Sequence, residues 1–291
     1  MNIYEIVTSK IIECLNKGVI PWKKEWTSIP FSNYCTRIKY QGINQLLLYA
    51  QCIVNKKNYI SPFWLTWNQV KKLKGYIRKN EKASIIVFYD FKIVEEEIIN
   101  DRGEKEIIEK KISFLKYYNV FNYEQTEGIK EIVINKNEYK KDCEEIINNM
   151  VEKPVIRYGL NPAYNPIKDY IIIPNINNFK SSDSYYSSLF HELIHWTGHK
   201  SRLDRFNEQS LNFGSEVYSK EELTAELGSS FLCHLTGREK NIIENQASYI
   251  KGWLTALNND KRLIINASSK AQKGVDYILS LSENKALMKT A

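Results

Sequence analysis

The sequence predicts an α+β fold of two domains, and three features of the chain carry this prediction. Its 291 residues are more than one small domain usually needs. Two runs rich in β-branched and aromatic residues, at 84–94 and 110–122, lie between segments whose apolar residues recur at helical spacing. The segment YEQTEGIKE (123–131) is polar and aperiodic, so we place a helix-plus-β-hairpin domain at 1–125 and a second domain at 132–291.

The N-terminal domain is predicted to begin with helices and to end in a long hairpin. Apolar side chains recur at helical spacing over 3–17, where Gly18 is a stop signal, and again over 43–54 and 66–74. The two strand-like runs follow, and the stretch NDRG (100–103) between them is typical of a turn that joins two strands.

The second domain is predicted to be mostly helical. We expect a helix at about 138–150, a strand over 170–173, and three further helices after it. In the first of these three, SSDSYYSSLFHELIHW (181–196), Ser182 or Asp183 is the candidate N-cap, because both side chains accept hydrogen bonds from a first helical turn.

Composition favours a globular protein, since 43% of the residues are hydrophobic and can form a core. The chain has no run of 18 or more apolar residues, and its start lacks the apolar core of a signal peptide. We therefore expect a soluble, cytoplasmic protein. The five cysteines show no C-x-x-C spacing, which favours free thiols over disulfides or a thiolate metal site.

Charge is distributed unevenly along the chain, whose net charge is +7. Residues 1–92 hold 15 Lys/Arg and 5 Asp/Glu, a net charge of +10, whereas residues 93–291 hold 26 and 29, a net charge of −3. A coding bias towards A and T raises lysine everywhere, but it does not explain the shortage of carboxylates in one third of the chain. The asymmetry indicates an anionic partner for the N-terminal part.

Aromatic residues are interleaved with these basic residues, as in GVIPWKKEW (18–26). Aromatic rings stack on unpaired bases while Lys and Arg hold phosphates, so the pattern favours single-stranded DNA as the partner. No recognition helix or finger motif for duplex DNA is visible. The alternative is that the tryptophans belong to the core and the lysines to a solvated face. The candidate DNA-binding residues are Trp22, Lys23, Lys24, Trp26, Arg37, Lys39, Tyr40, Trp64, Trp67, Lys71, Lys72, Arg78 and Lys79.

A metal site is predicted in HELIHWTGHKS (191–201). His191 and His195 lie four residues apart and project from one helix face, where a single tetrahedral ion can bind both. Glu192 is displaced by one residue and can reach a water beside the ion. Two stacked histidines without a metal are the alternative, but an H-E-x-x-H match by chance is rare in a chain with four histidines.

The third protein ligand has three candidates. His199 is nearest, but it follows the candidate helix C-cap Gly198 and so leaves the ligand face. Glu222 and Glu226 lie one turn apart in the next amphipathic segment. In a recurrent zinc arrangement, the first acid of such a pair binds the ion and the second orients a histidine, so we predict Glu222 as the ligand. Because Ser219-x-x-Glu222 also fits a capping box, Glu226 is the alternative.

Three protein ligands with an open fourth position are typical of a catalytic zinc site rather than a structural one. Such an ion lowers the pKa of bound water to roughly 7, and Glu192 is predicted to act as general base in the attack on a peptide carbonyl. A His/His/Glu set favours one Zn²⁺ per chain over magnesium or calcium. The strand Tyr170–Pro174, just before the metal helix, is expected to pair with an extended peptide.

The chain resembles the ArdC-type antirestriction proteins of plasmids and phages over nearly all of its length. The matching segments are GVIPWKKEW, YQGIN, SPFWLTWNQ, NVFNYEQTEG, AYNPIKDYIIIP, HELIHWTGHKSRLDR and YSKEELTAELGSSFL. The resemblance implies an N-terminal domain that binds single-stranded DNA and a C-terminal zincin-like metallopeptidase domain. Together they are implied to protect incoming mobile DNA from host restriction, with restriction enzymes or other DNA-bound proteins as substrate or target.

Two other functions use the same parts. A DNA-dependent protease that removes proteins trapped on DNA would show proteolysis stimulated by single-stranded DNA. A single-strand binder without enzymatic activity would use its zinc only to clamp two helices. Exchange of Glu192 for Gln separates these functions, because only the two peptidases lose activity while they keep the metal.

Overall fold

The structure is a computed structural model that describes residues 2–22, 30–55, 59, 61–99, 105–132, 143–150, 152–206, 216–237 and 246–279. Within these ranges, helices and sheets occur in both halves of the chain, which confirms the predicted mixture of α and β structure. None of the helices in these ranges is long and apolar enough to cross a membrane.

The N-terminal half combines helices with a long β-hairpin, as predicted. Its elements are α1 (Ile3–Asn16), β1 (Ser32–Asn33), α2 (Ile43–Val54), β2 (Phe63–Thr66), α3 (Trp67–Lys72), β3 (Tyr76–Ile77), β4 (Ser84–Ile99), β5 (Lys105–Asn122) and β6 (Thr126–Glu127). One sheet has the strand order β1-β2-β5-β4, and β3 pairs with β6 in another. Asn2 caps α1 through a capping box, and Gly18 follows its end with a φ of 76°. The pairing of β4 with β5 confirms the predicted hairpin. Its predicted turn at 100–103 lies outside the described residues.

The inner end of β4 is fixed by two amide side chains of α2 that replace a neighbouring strand. Asn44 donates to the carbonyl oxygen of Val87 at 2.8 Å and accepts from its N–H at 2.7 Å. Gln51 makes the same pair of hydrogen bonds with Ile85, at 3.1 and 2.8 Å. Because buried backbone groups need partners, these amides allow α2 to cover the edge of the sheet without a further strand.

The C-terminal half consists of a small sheet and a group of helices. Its elements are α4 (Cys143–Asn148), β7 (Val155–Tyr158), β8 (Ala163–Asn165), β9 (Tyr170–Ile173), α5 (Ser182–Thr197), α6 (Glu216–Thr236), α7 (Gln246–Asn259) and α8 (Leu263–Ile278). The strand at 170–173 is confirmed, and α4 lies within the predicted helix at 138–150, whose first residues lie outside the described ones. Among the described residues four α-helices follow β9, so the prediction of three was wrong.

One hydrophobic cluster joins the two halves of the chain. It contains residues of α1, α2, β4 and β5 together with residues of α5, α6 and α8. Polar contacts support the same interface: the Thr8 hydroxyl donates to the carbonyl oxygen of Lys261 at 2.7 Å, and the N–H of Gly42 donates to Gln272 at 2.9 Å. All five cysteines are free thiols, and four of them are buried. The boundaries 1–125 and 132–291 remain a prediction.

Gly228 of α6 lies in close contact with Ile194 of α5. A Cβ at this position would lie 2.6 Å from side-chain carbons of Ile194, closer than real Cβ atoms come to their neighbours. Ile194 follows Leu193 on the helix that carries the histidine pair, and it is fully buried. The absence of a side chain at Gly228 therefore permits this close contact between the two helices that carry the predicted metal ligands.

Replacement of Gly228 by alanine is expected to lower the free energy of unfolding by about 1–3 kcal/mol, because the added methyl group overpacks the interface. The matched control is Gly252→Ala in the exposed face of α7, where a Cβ meets nothing within 4 Å. That change is expected to stabilise the protein by about 1 kcal/mol through helix propensity alone. Urea denaturation of both variants checks the pair, and equal effects at the two positions would contradict the close approach.

Candidate metal centre

Helix α5 carries the first three residues of the predicted site. Its N-cap is Ser181, whose hydroxyl accepts from the N–H of Ser184 at 3.1 Å, so the predicted cap at Ser182 or Asp183 was wrong by one or two residues. The helix ends at Thr197, and Gly198 is its C-cap as predicted. Buried apolar side chains on α5, including Leu189, Leu193 and Trp196, hold the helix in the core and leave the histidine pair towards α6.

His191, His195 and Glu222 form one group in which the ligand atoms all lie within 4.8 Å of one another. The Nε2 atoms of the two histidines are 3.1 Å apart. One carboxylate oxygen of Glu222 lies 3.5 Å from Nε2 of His191, and the other lies 3.4 Å from Nε2 of His195. The side chains are 11 to 29% exposed, so the group opens to solvent on one side. Two imidazoles and a carboxylate thus converge as a metal-binding group with room for a further ligand.

The two other candidates for the third ligand lie outside this group. His199 follows the helix end, and its Nδ1 lies 2.8 Å from the hydroxyl of Ser201. Glu226 is not a member of the group. The capping-box alternative for Glu222 was wrong, because α6 begins at Glu216 and Ser219 therefore lies inside the helix.

The second acid that contacts a ligand histidine is Glu221 rather than the predicted Glu226. An oxygen of Glu221 lies 3.5 Å from Nδ1 of His195, the ring nitrogen that faces away from Glu222. Successive helix residues point about 100° apart, so neighbouring acids can contact the two nitrogens of one imidazole from different sides. The pair of adjacent glutamates was the available sequence signal, but only the crossing of α5 and α6 shows which acid reaches Nδ1.

Arg205 holds Glu221 in place, and sequence reasoning missed this residue as well. Its guanidinium donates to both carboxylate oxygens of Glu221, at 2.8 and 3.2 Å. It also donates to the hydroxyl of Thr197 at 2.8 Å and to the carbonyl oxygen of Ile194. Both side chains are at least 92% buried, so the ion pair is largely screened from water. The loop after α5 is thereby connected to α6 behind the histidines.

Three carboxylates give the site a negative electrostatic environment. Burial lowers the pKa of the His195 imidazole, but the carboxylates of Glu221, Glu222 and Glu192 outweigh burial and raise this pKa to about 10. Burial raises the pKa of Glu222, yet its contacts with His191 and His195 dominate and hold that pKa well below the usual range of a carboxyl. The charge that attracts a proton here is also the charge that attracts a divalent cation.

The loop that follows α5 is anchored a second time by Arg202. Its guanidinium donates to Asp169 at 3.0 Å, stacks 4.0 Å from the centre of the Trp196 ring, and donates to the carbonyl oxygen of Trp196 at 2.7 Å. The hydroxyl of Tyr164 donates to the same Asp169 at 2.8 Å. Arg202 therefore ties the small sheet to the C-terminal end of the metal helix.

The strand β9 cannot pair with a substrate peptide as we predicted. It is the middle strand of the sheet β7-β9-β8, where it pairs with β7 in parallel and with β8 in antiparallel orientation. Both of its backbone edges are therefore occupied. The sequence identified a strand correctly, but the position of a strand within a sheet depends on partners that local patterning does not name.

Tyr40 is 7% exposed and lines a cavity between the two halves of the chain. Two other candidate DNA-binding residues, Trp22 and Trp64, are 0% exposed, and for these two the prediction was wrong. Trp22 packs against Trp253, and Trp64 packs between Phe31 and Tyr59, so these rings form part of the core and have no free face for a base. Lys23, Lys24 and Trp26 lie outside the described residues.

The remaining candidates are exposed, and four of them form what we call the basic-aromatic face: Arg37, Trp67, Lys71 and Lys72. Trp67 is 51% exposed, and the Nζ of Lys71 lies 3.8 Å from the centre of its ring. Burial raises the pKa of the Cys35 thiol, and the charges of Arg37 and Lys72 act against this effect. Two amide hydrogen bonds of 3.1 Å between Asn33 and Gln69 fix the loop of Arg37 to α3.

The other exposed candidates are Lys39, Arg78 and Lys79. Arg78 is close to Glu81, with 3.5 Å between the charged atoms, and it also contacts the backbone of Glu124. Its charge is therefore partly balanced, whereas Arg37, Lys71 and Lys72 form no ion pair with a carboxylate among the described residues.

Comparisons with known proteins agree with this geometry. A family model described as a zincin-like metallopeptidase matches residues 141–270, and one described as the N-terminal domain of the anti-restriction factor ArdC matches residues 1–121. Fold and site thus define a two-domain protein with a zincin-like metallopeptidase domain. The metal-free crystal structure of antirestriction protein ArdC from plasmid R388 is 36% identical, with a TM-score of 0.76, and the match covers 98% of this chain and 99% of that one. The chain therefore belongs to the ArdC family of antirestriction proteins.

Other relatives extend the comparison. An Mn(II)-bound structure of the R388 protein is 34% identical, with a TM-score of 0.76 over 96% of this chain and 98% of that one. Protein y4eC of Sinorhizobium fredii is 32% identical over 95% of this chain and 91% of its own length. Two DNA primases TraC of Escherichia coli are 31% identical over 97% of this chain, which spans only 20% and 27% of their lengths.

Proposed function

We propose that the protein is an antirestriction factor of a mobile element that binds single-stranded DNA and protects incoming DNA from host restriction. The observation that carries the proposal is the convergence of His191, His195 and Glu222 with Glu192 beside them, in a chain that also presents the basic-aromatic face. Localisation in the cytoplasm, where incoming DNA meets restriction enzymes, is part of the proposal.

The ligand set fits a first-row divalent metal, and we propose Zn²⁺. Two imidazole nitrogens favour such a metal over Mg²⁺ or Ca²⁺, which prefer all-oxygen sites. The related R388 protein has been crystallised with Mn(II). In the general affinity order of divalent metals, a site with nitrogen and oxygen ligands binds Zn²⁺ more tightly than Mn²⁺. Mn²⁺ can therefore occupy such a site when it is the more available metal, even though the site has the higher affinity for Zn²⁺.

The chemistry proposed for this site is hydrolysis of a peptide bond. A bound metal supplies Lewis acidity, which polarises a carbonyl and lowers the pKa of a bound water. Glu192 is 8% exposed and close enough to influence the pKa of His195, so its carboxylate is positioned to accept a proton from the attacking water. Glu221 and Arg205 hold the His195 ring in a fixed orientation, which keeps Nε2 directed at the ligand position.

Replacement of Glu192 by glutamine is expected to lower proteolysis by about 10²–10⁴-fold, because it removes the general base while it keeps the shape of the side chain. Metal content should stay unchanged, since Glu192 is outside the ligand group. Cleavage of denatured casein, with and without single-stranded DNA, and metal analysis of the purified variant are the measurements. Asp183→Asn, which removes a carboxylate from the first turn of the same helix, is the control and should keep full activity.

The same variant distinguishes the antirestriction function from its two rivals. A plasmid that carries Glu192→Gln is transferred into a restricting and a non-restricting host, and the two transfer frequencies are compared. A lower transfer frequency in the restricting host alone would support an antirestriction function that requires proteolysis. Full protection by the inactive variant would mean that DNA binding alone carries the function. Sensitivity to DNA damage without any restriction-linked effect would favour a protease for proteins trapped on DNA.

The basic-aromatic face supports binding of single-stranded DNA because it combines an exposed ring with three positive charges on two connected elements. Trp67 can stack on a base, and Lys71, Lys72 and Arg37 can contact neighbouring phosphates. Exposed rings and charges of this kind tolerate any sequence, which suits a protein that has to act on whatever DNA enters the cell.

The double variant Lys71→Ala, Lys72→Ala is expected to bind an oligothymidylate more weakly and to reduce the salt dependence of its affinity. Each lost phosphate contact lowers the slope of log K against log salt concentration by about 0.7 for a single strand. Fluorescence anisotropy over a range of salt concentrations measures this slope. The matched control is Lys153→Ala, Lys180→Ala, which removes two exposed lysines from the other half of the chain. Equal slopes for the two double variants would exclude this face as the binding site.

A further inference from the structure

A cavity of about 210 Å³ lies between the two halves of the chain, away from the metal centre. Residues 39–45 form one wall, and residues of α6 and α8 form the other. Hydrogen bonds fix both walls. The Gln45 side chain donates to the carbonyl oxygens of Phe31 and Tyr40 at 2.9 and 2.7 Å, and the N–H of Gly42 donates to Gln272 on α8 at 2.9 Å. The cavity is thus preformed, as ligand pockets usually are.

The walls combine aromatic and aliphatic surface with few polar groups. Three rings line the cavity, those of Tyr40, Phe231 and His234, together with the aliphatic side chain of Leu235. Burial, and then the charge of Lys39, lowers the pKa of His234 to about 4, so at neutral pH its imidazole is an uncharged ring. Lys39 is exposed at the rim and supplies a positive charge there. A flat aromatic ligand with polar edges and an attached anion matches these features.

We propose that this cavity receives one base of a bound DNA single strand, with the phosphate of that nucleotide at Lys39. The inference rests on the proposed binding of single-stranded DNA and names a second contact for it. A base that leaves the stack is usually held between aromatic and apolar side chains, with polar groups at its edge. The cavity provides the rings, and the amide side chains of Gln41 and Gln272 line it as polar groups. An aliphatic ligand would need neither the imidazole nor the lysine.

Two features of the chain connect the cavity with the rest of the proposed function. Lys39 lies two residues from Arg37, so a strand on the basic-aromatic face needs to extend by only about 7 Å to reach the rim. Helix α6 carries both His234 and Glu222, which are twelve residues apart and therefore separated by about 18 Å along the helix. A base in the cavity would hold the strand at this fixed distance from the metal centre.

The test combines cavity-filling variants with two strands that differ only in their bases. Leu235→Trp fills the cavity from α6, and Gln41→Trp fills it from an exposed rim position where folding is not at risk. Leu160→Trp is the matched control, because Leu160 is 93% exposed and does not line the cavity. Affinities are measured by anisotropy for an oligothymidylate and for an abasic strand of equal length.

The filling variants are expected to bind the oligothymidylate about tenfold more weakly than the wild type, which corresponds to the loss of one stacked base. They should bind the abasic strand as the wild type does, and Leu160→Trp should match the wild type on both strands. Lys39→Gln should weaken binding of both strands alike, because it removes a phosphate contact.

Unchanged binding of the oligothymidylate by the filling variants would overturn the inference, and so would an equal loss on both strands. Thymidine monophosphate is added as a separate arm. One outcome is that thymidine monophosphate binds the wild type, does not bind the filling variants, and does not displace the DNA strand from the wild type. In that case the cavity takes a free nucleotide and the inference fails. A wild-type protein that binds no single strand at all would refute the proposed function itself, and a strand bound without any contribution from the cavity would refute only the inference.

Discussion

Replacement of Glu222 by alanine is expected to abolish tight binding of a divalent metal while the protein stays folded. Glu222 supplies the only carboxylate of the described metal-binding group, and its two oxygens lie 3.5 and 3.4 Å from the Nε2 atoms of His191 and His195. Two imidazoles alone leave a first-row metal with half of its tetrahedral shell. The loss of affinity should therefore exceed the roughly 10–100-fold that removal of a supporting residue costs.

Calorimetric titration with Zn²⁺ and with Mn²⁺, after removal of metal by a chelator, measures this effect. Glu226→Ala is the matched control, since it removes a glutamate one turn further along the same helix. We expect this control to keep its metal, and we expect Zn²⁺ to bind the wild type more tightly than Mn²⁺. The assignment of the third ligand would be wrong if Glu226→Ala lost the metal and Glu222→Ala kept it.

Replacement of Arg205 by alanine is expected to lower the free energy of unfolding by about 3–5 kcal/mol, because it leaves the buried Glu221 carboxylate without its charge partner. The guanidinium also bonds Thr197 and the backbone of Ile194, so the end of α5 loses its link to α6 in the same variant. The ring of His195 then lacks a fixed acid at Nδ1. Metal affinity should fall by about 10–100-fold as a consequence.

Chemical denaturation of the metal-free protein separates the effect on folding from the effect on the metal, which titration measures independently. Arg157→Ala serves as the control, because Arg157 is exposed and its guanidinium lies over the ring of Tyr170, 4.2 Å from the ring centre. A further variant, Glu221→Gln, leaves the buried Arg205 charge without its charge partner, so it should lose stability as well as metal affinity. An Arg205→Ala protein with wild-type stability would show that the ion pair does not support the site.

Sequence patterns predicted those helices and strands whose start, periodicity and end are all encoded in one continuous stretch of the chain. The helices α1 and α2 were predicted within one residue of their observed bounds, because helical spacing, caps and a stop glycine coincide in the same stretch of chain. The hairpin of β4 and β5 was predicted for the same reason. The number of helices after β9 was predicted as three, but four α-helices are observed among the described residues. The residues between α7 and α8 include neither Gly nor Pro, and the side chain of Asp260 there accepts from the N–H of Arg262 at 2.8 Å.

Long-range packing decided the role of each tryptophan. Trp22, Trp64 and Trp67 all lie near basic residues in the sequence, yet the first two are fully buried and only Trp67 is exposed. Composition cannot separate these cases, because a ring that stacks on a base and a ring that fills a core have the same chemistry. Their positions relative to other elements decide which of the two they do.

The sequence by itself determined the chemistry of the metal site: a helix fixes His191 and His195 on one face because its repeat is local, and the choice of residue types limits which cation can bind. Only the tertiary structure decided that Glu222 completes the group and that Glu221 and Arg205 support it. The same holds for β9, which lies in the middle of its sheet and not at an edge. The physical reason is that the angle and distance between α5 and α6 arise from packing of side chains distant in sequence, as at Gly228 and Ile194.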